Sequence, residues 1–245
     1  MSQETIIAWT DHTFNPWMGC EKVSAGCKNC YAEKLVVGRM GLDVWRGARQ
    51  VTKTPWDNIE KWNADAKRDS IRRRVFCASL CDVFDAHPTA AATRPRLWDV
   101  IRRCKNLDWQ LLTKRPENIL AMLPSDWGNG WRHVWLGTTI EDERVIARAD
   151  ILRAIPAAIR FVSYEPALGP LDALDLRGLH WVIYGGESGS GHRAEDKDWA
   201  RSMRRKCAAA GVAFFHKQSA AWRTEMGIEL DGEIATDGIM SIGTS

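Results

Sequence analysis

Long hydrophobic runs are missing from this sequence, and no apolar stretch approaches the ~18–20 residues that a membrane-spanning helix requires. The opening segment, MSQETIIAWT, also lacks a positively charged region followed by an apolar core, so it does not have the form of a signal peptide. Internal repeats and low-complexity linkers are absent as well. We therefore expect a cytoplasmic protein that has no membrane partner.

A large charge of either sign is missing too. The 245 residues carry a net charge of +3, which neither requires nor excludes a nucleic-acid partner. Charged residues make up 27% of the chain and hydrophobic residues 45%, as in an ordinary globular protein. The length suits one α/β domain, since a (β/α) barrel needs ~250 residues. We treat residues 1–245 as a single domain with an insertion over 41–73 and a C-terminal extension over 219–245.

Cysteine and tryptophan are the residues that the chain has in unusual number, with seven and thirteen copies. In a reducing compartment, seven cysteines indicate metal or redox work rather than disulfide bonds. We expect Cys77, Cys104 and Cys207 to pack in the core. Most of the tryptophans should pack in the core or at its rim, and the sequence identifies no base-stacking surface among them.

Short apolar runs recur along the chain, each followed by a helical pattern. The runs cover residues 6–9, 75–80, 109–112, 134–137, 159–162, 181–184 and 212–215. Continuous runs of this length are typical of strands that are buried on both faces of a parallel sheet. The helical patterns include residues 28–40 and 196–210, the latter ending before Gly211. This succession predicts an α/β fold, either a full or partial (β/α) barrel or an open doubly wound sheet.

Polar residues directly follow the apolar runs. Loops are polar in general, but here charged and hydroxyl side chains and glycines abut the ends of the runs. They include Asp82, Lys114, Arg115, Thr138, Glu141, Glu165, Gly185, Gly186, Glu187 and Lys217. Because ligands of parallel β/α folds bind at the carboxyl ends of the strands, we expect these residues to share one site.

Three cysteines form the strongest local pattern: Cys20, Cys27 and Cys30. Thiolates are soft ligands that suit zinc or an iron–sulfur cluster. The last two are one helical turn apart at the start of the predicted helix 28–40, whose N–H groups favour thiolates. A structural zinc site would close with a fourth ligand, which His12 or Cys81 could supply. The spacing alone leaves zinc and a cluster equally open.

The segment from Trp9 to Glu33 resembles the N-terminal signature of a phage and prophage family of radical-SAM-like proteins of unknown function. The matching residues are WTD at 9–11, TFNPW at 13–17, GC at 19–20 and SAGCKNCYAE at 24–33. Further matches are 111–116, 134–137, 160–163 with 165–166, 181–183 with 185–189, and 211–218. The resemblance covers about residues 8–218.

The resemblance implies a partial (β/α) barrel of the radical-SAM type with parallel strands. It implies a 4Fe–4S cluster on Cys20, Cys27 and Cys30, with S-adenosylmethionine (SAM) on the open iron. It further implies an enzyme that takes an electron from a donor and cleaves SAM to methionine and a 5′-deoxyadenosyl radical. The spacing departs from the common radical-SAM pattern, since six residues rather than three separate the first two cysteines.

The resemblance also suggests roles for single residues. The expected cofactor-binding residues are Tyr31, Asp82, Thr138, Glu141, Glu165, Gly185, Gly186 and Glu187. The expected catalytic residues, which would meet an anionic substrate such as a nucleotide or nucleic acid, are Lys114, Arg115 and Lys217. The Gly-Gly-Glu sequence follows the sixth run here, whereas in typical members it follows the second strand. The alternative is a non-enzymatic nucleic-acid-binding protein with a structural zinc site.

Overall fold

The computed structural model describes residues 5–45, 47–53 and 56–238. Within these residues the strands are β1 (His12–Thr13), β2 (Trp17–Met18), β3 (Gln50–Val51), β4 (Arg73–Cys77), β5 (Leu107–Thr113), β6 (Val134–Thr139), β7 (Ile159–Tyr164), β8 (Trp181–Gly185) and β9 (Ala213–Gln218). The α-helices are α1 (Tyr31–Glu33), α2 (Trp56–Asp69), α3 (Pro88–Arg103), α4 (Ile119–Met122), α5 (Ala147–Arg153) and α6 (Lys197–Ala210). Helix α1 continues as a π-helix over Lys34–Arg39. None of these helices combines the length and the apolar character that crossing a membrane requires.

Seven of the strands form one parallel sheet in the order β1-β4-β5-β6-β7-β8-β9. The order follows the chain without a reversal, and the sheet curls into a half-barrel. A doubly wound sheet would reverse its strand order at a switch point, so the prediction of a partial (β/α) barrel is confirmed. Strands β2 and β3 form a separate antiparallel pair. Of the predicted insertion and extension, residues 46, 54, 55 and 239–245 lie outside the described residues.

The strands of the half-barrel bury both faces, which explains why the apolar runs are continuous. The outer face packs against the helices in a core that includes Trp109 on β5, Trp62 on α2 and Leu97 on α3. The inner face is filled by Trp9, Phe76, Trp135, Ile159, Phe161, Trp181, Ile183 and Phe215. Gly137 on β6 admits the ring of Phe161, with which a Cβ atom there would clash. The polar site therefore lies at the carboxyl ends of the strands, called the mouth below.

The first apolar run does not form the strand that the sequence predicts. Residues 6–9 lie outside any strand and end in a turn. Pairing with β4 begins only at Asp11, whose N–H donates to the Arg74 carbonyl (3.1 Å). The indole of Trp9 instead packs on the inner face, where its centroid lies 4.5 Å from that of the Phe76 ring. The packing of this one large side chain thus replaces strand pairing for the run.

Two predicted helices differ in how well their ends agree with the structure. The helix predicted over 196–210 is confirmed, because Asp196 caps α6 through the Asp198 N–H (2.9 Å) and Gly211 ends it with φ 66°. The helix predicted over 28–40 begins later, at Tyr31. Cys30 immediately precedes this helix and has an extended ψ of 120°. The cysteines therefore lie in a loop before the helix.

Candidate active site

Residues 19–30, called the cysteine loop below, cross the mouth of the half-barrel. Gly19 pairs with the segment that follows β4. Its N–H donates to the Leu80 carbonyl (3.1 Å), and it forms a parallel bridge with Cys81. Its φ is 107°, and a Cβ atom there would clash with the Val44 carbonyl, so this position requires glycine. The loop presents three half-buried thiols that form no disulfide: Cys20, Cys27 and Cys30.

The carboxylate of Glu141, which follows β6, holds the middle of the cysteine loop. It accepts hydrogen bonds from the Ser24 hydroxyl and from the Arg148 guanidinium (2.9 Å). Gly26 lies against this carboxylate, where a Cβ atom would clash with it. Only 1% of Glu141 is exposed, so the charge of Arg148 on α5 balances a fully desolvated carboxylate. This ion pair connects the loop to the sheet and the helix layer.

Glu187, which follows β8, holds the end of the loop. Its carboxylate accepts from the Asn29 side-chain amide (2.8 Å) and from the backbone N–H (2.8 Å) and Nε (2.9 Å) of Arg193. The Arg193 guanidinium also donates to the Ala25 carbonyl (3.1 Å). Burial raises the pKa of Glu187, but the hydrogen bonds from Arg193 and Asn29 outweigh it and hold the pKa below its ordinary value. Glu187 therefore stays ionised as a loop anchor.

Arg115, which follows β5, contacts the first cysteine of the loop. Its guanidinium donates to Cys20 Sγ (3.6 Å) and to the Glu21 carbonyl (2.8 Å), and it forms an ion pair with Asp82 (3.0 Å). The Asp82 carboxylate also accepts from the Thr113 hydroxyl (2.7 Å). Burial and the Asp82 charge raise the pKa of the Cys20 thiol to about 11, although Arg115 opposes this rise. A third ion pair is thus attached to the loop.

Three charged side chains at the mouth are half-buried and take no part in the ion pairs that hold the cysteine loop. Lys114 Nζ donates to the Thr139 hydroxyl (3.3 Å), and Lys217 Nζ forms an ion pair with Glu165 (2.6 Å). Gly185 leaves room for this carboxylate, since a Cβ atom there would lie 2.9 Å from Glu165 Cδ. Lys114, Glu165 and Lys217 are therefore the charged groups best placed to exchange their present contacts for those of a ligand.

The predicted site residues fall into groups. Those that contact the cysteine loop, or adjoin it in sequence, are Tyr31, Arg115, Glu141 and Glu187, and Asp82 is attached to the loop through Arg115. Those that line the mouth are Lys114, Glu165, Gly185 and Lys217. Thr138 lies near the carboxyl end of β6 with its side chain on the outer face, where its hydroxyl donates to the Thr113 carbonyl (3.1 Å). Gly186 supports the packing of the chain behind the mouth, because a Cβ atom there would clash with the Ala220 backbone.

Three further residues of the site were not singled out from the sequence: Ser24, Asn29 and Arg193. Thr139 directly follows the apolar run at 134–137, as Thr138 does, and because side chains alternate along β6 it shares the inner face with Trp135. Ser24 and Asn29 lie within the cysteine loop but have no spacing signal of their own. Arg193 was missed because its contact with Glu187 depends on the path of the loop after β8.

The other candidate metal ligands have separate environments. His12 stacks on the ring of Trp62 from α2, with centroids 4.2 Å apart and planes at 3°, which places its ring in the helix layer. Cys77, Cys104 and Cys207 are buried in the outer core, as predicted. Cys81 is half-buried, and its backbone pairs with Gly19 beside Cys20.

The cysteine loop offers three soft thiols as possible metal ligands. Within residues 5–45, 47–53 and 56–238, no three His, Cys, Asp or Glu side chains are grouped tightly enough to bind a single metal ion. The cysteines of a 4Fe–4S cluster bind different irons and so need not converge on one point. Three soft thiolates on one loop therefore fit a cluster with one iron left without a protein ligand.

Comparisons with known proteins agree with this fold. No curated protein matches the chain. A solved structure of a cysteine-to-serine mutant of spore photoproduct lyase, a radical-SAM enzyme, has a TM-score of 0.51 at 11% identity, and the match covers 84% of this chain and 63% of that one. A double mutant of the same enzyme with bound AdoMet and dinucleoside spore photoproduct has a TM-score of 0.47 at 12% identity, covering 80% and 61%.

The chain therefore spans less than two thirds of the length of either lyase structure. The likeness to the cysteine-to-serine mutant shows the parallel half-barrel fold alone. A family model described as "Protein of unknown function (DUF5131)" matches residues 4–238. This match extends over nearly the whole length of the sequence. The chain belongs to this DUF5131 family of proteins of unknown function.

Proposed function

We propose that this protein is a radical-SAM enzyme in which Cys20, Cys27 and Cys30 hold a 4Fe–4S cluster. The observation that supports this most directly is the position of the cysteine loop, which crosses the mouth of a parallel half-barrel. Three ion pairs fix it there, through Glu141, Glu187 and Arg115, and those of Glu141 and Arg115 are buried. So many anchors on one loop indicate that the placement of its thiols matters.

When bound, the cluster would pass an electron from an external donor to SAM, whose cleavage yields methionine and a 5′-deoxyadenosyl radical. Glu165 would accept hydrogen bonds from the SAM ammonium, with Tyr31 and Gly185 beside it. Lys114 and Lys217 would attract and orient an anionic substrate. The aromatic rings on the inner face exclude water beneath the mouth, which protects a reactive radical from side reactions.

Anaerobic reconstitution tests the proposal. Protein loaded with iron and sulfide, then given SAM and dithionite, is expected to release 5′-deoxyadenosine and methionine in equal amounts, as measured by chromatography and mass spectrometry. Omission of dithionite is the control and should give neither product. A colourless protein with one zinc ion per chain and no 5′-deoxyadenosine would contradict the proposal and support a structural zinc site in a nucleic-acid-binding protein.

A nucleotide or nucleic acid is the substrate class that the mouth suits best. The segment after β9 pairs with the loop after β8, where the Ala221 N–H donates to the Glu187 carbonyl (3.1 Å). The next residue, Trp222, is 57% exposed, whereas most of the other tryptophans are buried. The guanidinium of Arg223 lies 4.1 Å from the centroid of its ring. An exposed indole with an adjacent arginine can stack a base and contact a phosphate.

Trp222→Ala is expected to weaken the binding of a single-stranded oligonucleotide. Stacking of one base contributes ~1–3 kcal/mol, which corresponds to a roughly 5- to 150-fold rise in Kd. Fluorescence anisotropy with a labelled oligonucleotide measures this change. Ile71→Ala is the matched control, because Ile71 is equally exposed (62%) but precedes β4 at the opposite end of the strands. Equal affinities of the two variants would remove this support for a nucleic-acid substrate.

A further inference from the structure

Arg115 makes contacts that differ in kind from those of its neighbour Lys114. The side chain of Arg115 is 8% exposed, and within the described part of the chain its guanidinium donates to protein atoms: Cys20 Sγ, the Glu21 carbonyl and the Asp82 carboxylate. A guanidinium that is buried and directed at the cysteine loop in this way is poorly placed to meet a substrate phosphate. Its role must therefore be sought at the cysteine to which it donates.

The contacts of Arg115 constrain both the position and the charge of Cys20. The Arg115 guanidinium donates to the Glu21 carbonyl (2.8 Å), which fixes the backbone that follows the cysteine. It also donates to the Cys20 sulfur (3.6 Å). An ammonium group could not reach these atoms and Asp82 together, because it lacks the planar fork of arginine. A fixed cation beside a sulfur ligand stabilises added negative charge on a metal centre, and hydrogen bonds to such sulfurs change its potential.

We infer that Arg115 is a positioning residue that fixes Cys20 as a cluster ligand and raises the reduction potential of the cluster. The inference rests on the proposed function, since it requires a cluster on the cysteine loop. Asp82 opposes this effect, because its carboxylate shares the guanidinium (3.0 Å) and brings negative charge close to the same sulfur. The pair Arg115 and Asp82 would therefore set the potential at which one electron from the donor enters the cluster.

Arg115→Gln removes the positive charge and is expected to lower the midpoint potential. Asp82→Asn removes the opposing charge and is expected to raise it. Both are measured by a dithionite titration of the reconstituted protein, followed by electron paramagnetic resonance. Arg115→Lys keeps the charge, so its potential should stay close to that of the native protein, while iron is lost to a chelator faster because the ammonium cannot hold Cys20 and Glu21 together.

Arg72→Gln is the matched control. Arg72 also forms a half-buried ion pair with a buried aspartate, Asp108 (2.7 Å), but at the start of β5, at the opposite end of the sheet. It should cost comparable stability and leave the potential and the rate of iron loss unchanged.

The outcomes separate this inference from the proposed function. A native protein that assembles no iron–sulfur cluster would defeat the proposed function itself. A cluster whose potential and iron retention are the same in Arg115→Gln, Arg115→Lys and Arg72→Gln would overturn the inference alone. If Arg115→Gln assembles no cluster, the other two variants test the inference. A potential below that of the native protein in Asp82→Asn would overturn the inference. Native iron retention in Arg115→Lys would also overturn it.

Discussion

Single replacement of Cys20, Cys27 or Cys30 by serine is expected to abolish cluster assembly. Each thiolate would bind a different iron, so the loss of one leaves two irons without a protein ligand. Iron and sulfide in the reconstituted protein should fall from about four atoms each per chain to near background. The visible absorbance and the release of 5′-deoxyadenosine should fall with them, while the circular dichroism spectrum keeps its native form.

The remaining cysteines supply the controls. Cys104 and Cys207 are buried in the outer core, and burial raises the pKa of their thiols to about 11 and about 12. Replacement of either by alanine should therefore leave the cluster intact. Cys81→Ala is more decisive, because Cys81 lies beside Gly19 and Cys20 and could complete a zinc site. If Cys81→Ala lost its metal as the three loop variants do, this result would contradict a three-cysteine cluster.

The fold could be predicted in part because strands buried on both faces carry continuous apolar runs. Such runs mark strands in a barrel and in a doubly wound sheet alike, since both are built from the same βα unit. The deciding feature is the strand order, which is a long-range property without a local signal. The run at residues 6–9 also shows that composition does not decide strand pairing. Its residues suit a strand, but the chain pairs with β4 only from Asp11 onward.

The candidate site shows where spacing is informative and where it is not. The cysteines are close in sequence, so their spacing alone indicates a metal centre. Binding of the cofactor by Glu187 and Glu141 stays a prediction, and the structure shows that they hold Asn29 and Ser24, which are 158 and 117 residues away in sequence. A carboxylate at the end of a strand is recognisable from the sequence, but its partner depends on which loop folds over the mouth.

Glu141→Ala is expected to destabilise the protein and to release the cysteine loop. The substitution leaves Arg148 with a buried, unbalanced charge, and breaking such a pair costs ~3–5 kcal/mol. The Arg148 guanidinium keeps its hydrogen bond to the Thr139 carbonyl (3.0 Å), which solvates it in part. Urea unfolding should show a lower midpoint with an unchanged slope, since the surface exposed on unfolding stays the same.

Two further variants separate the ion pair from the loop contact. Glu60→Ala breaks an exposed pair with Arg103 (3.2 Å), which contributes ~0–1 kcal/mol, and should leave the urea midpoint almost unchanged. Glu141→Gln keeps an oxygen that can accept from Ser24 but removes the charge opposite Arg148. It should lose stability, as Glu141→Ala does, yet retain iron better, because the loop stays attached. Equal iron loss from Glu141→Ala and Glu60→Ala would show that the loop does not depend on this anchor.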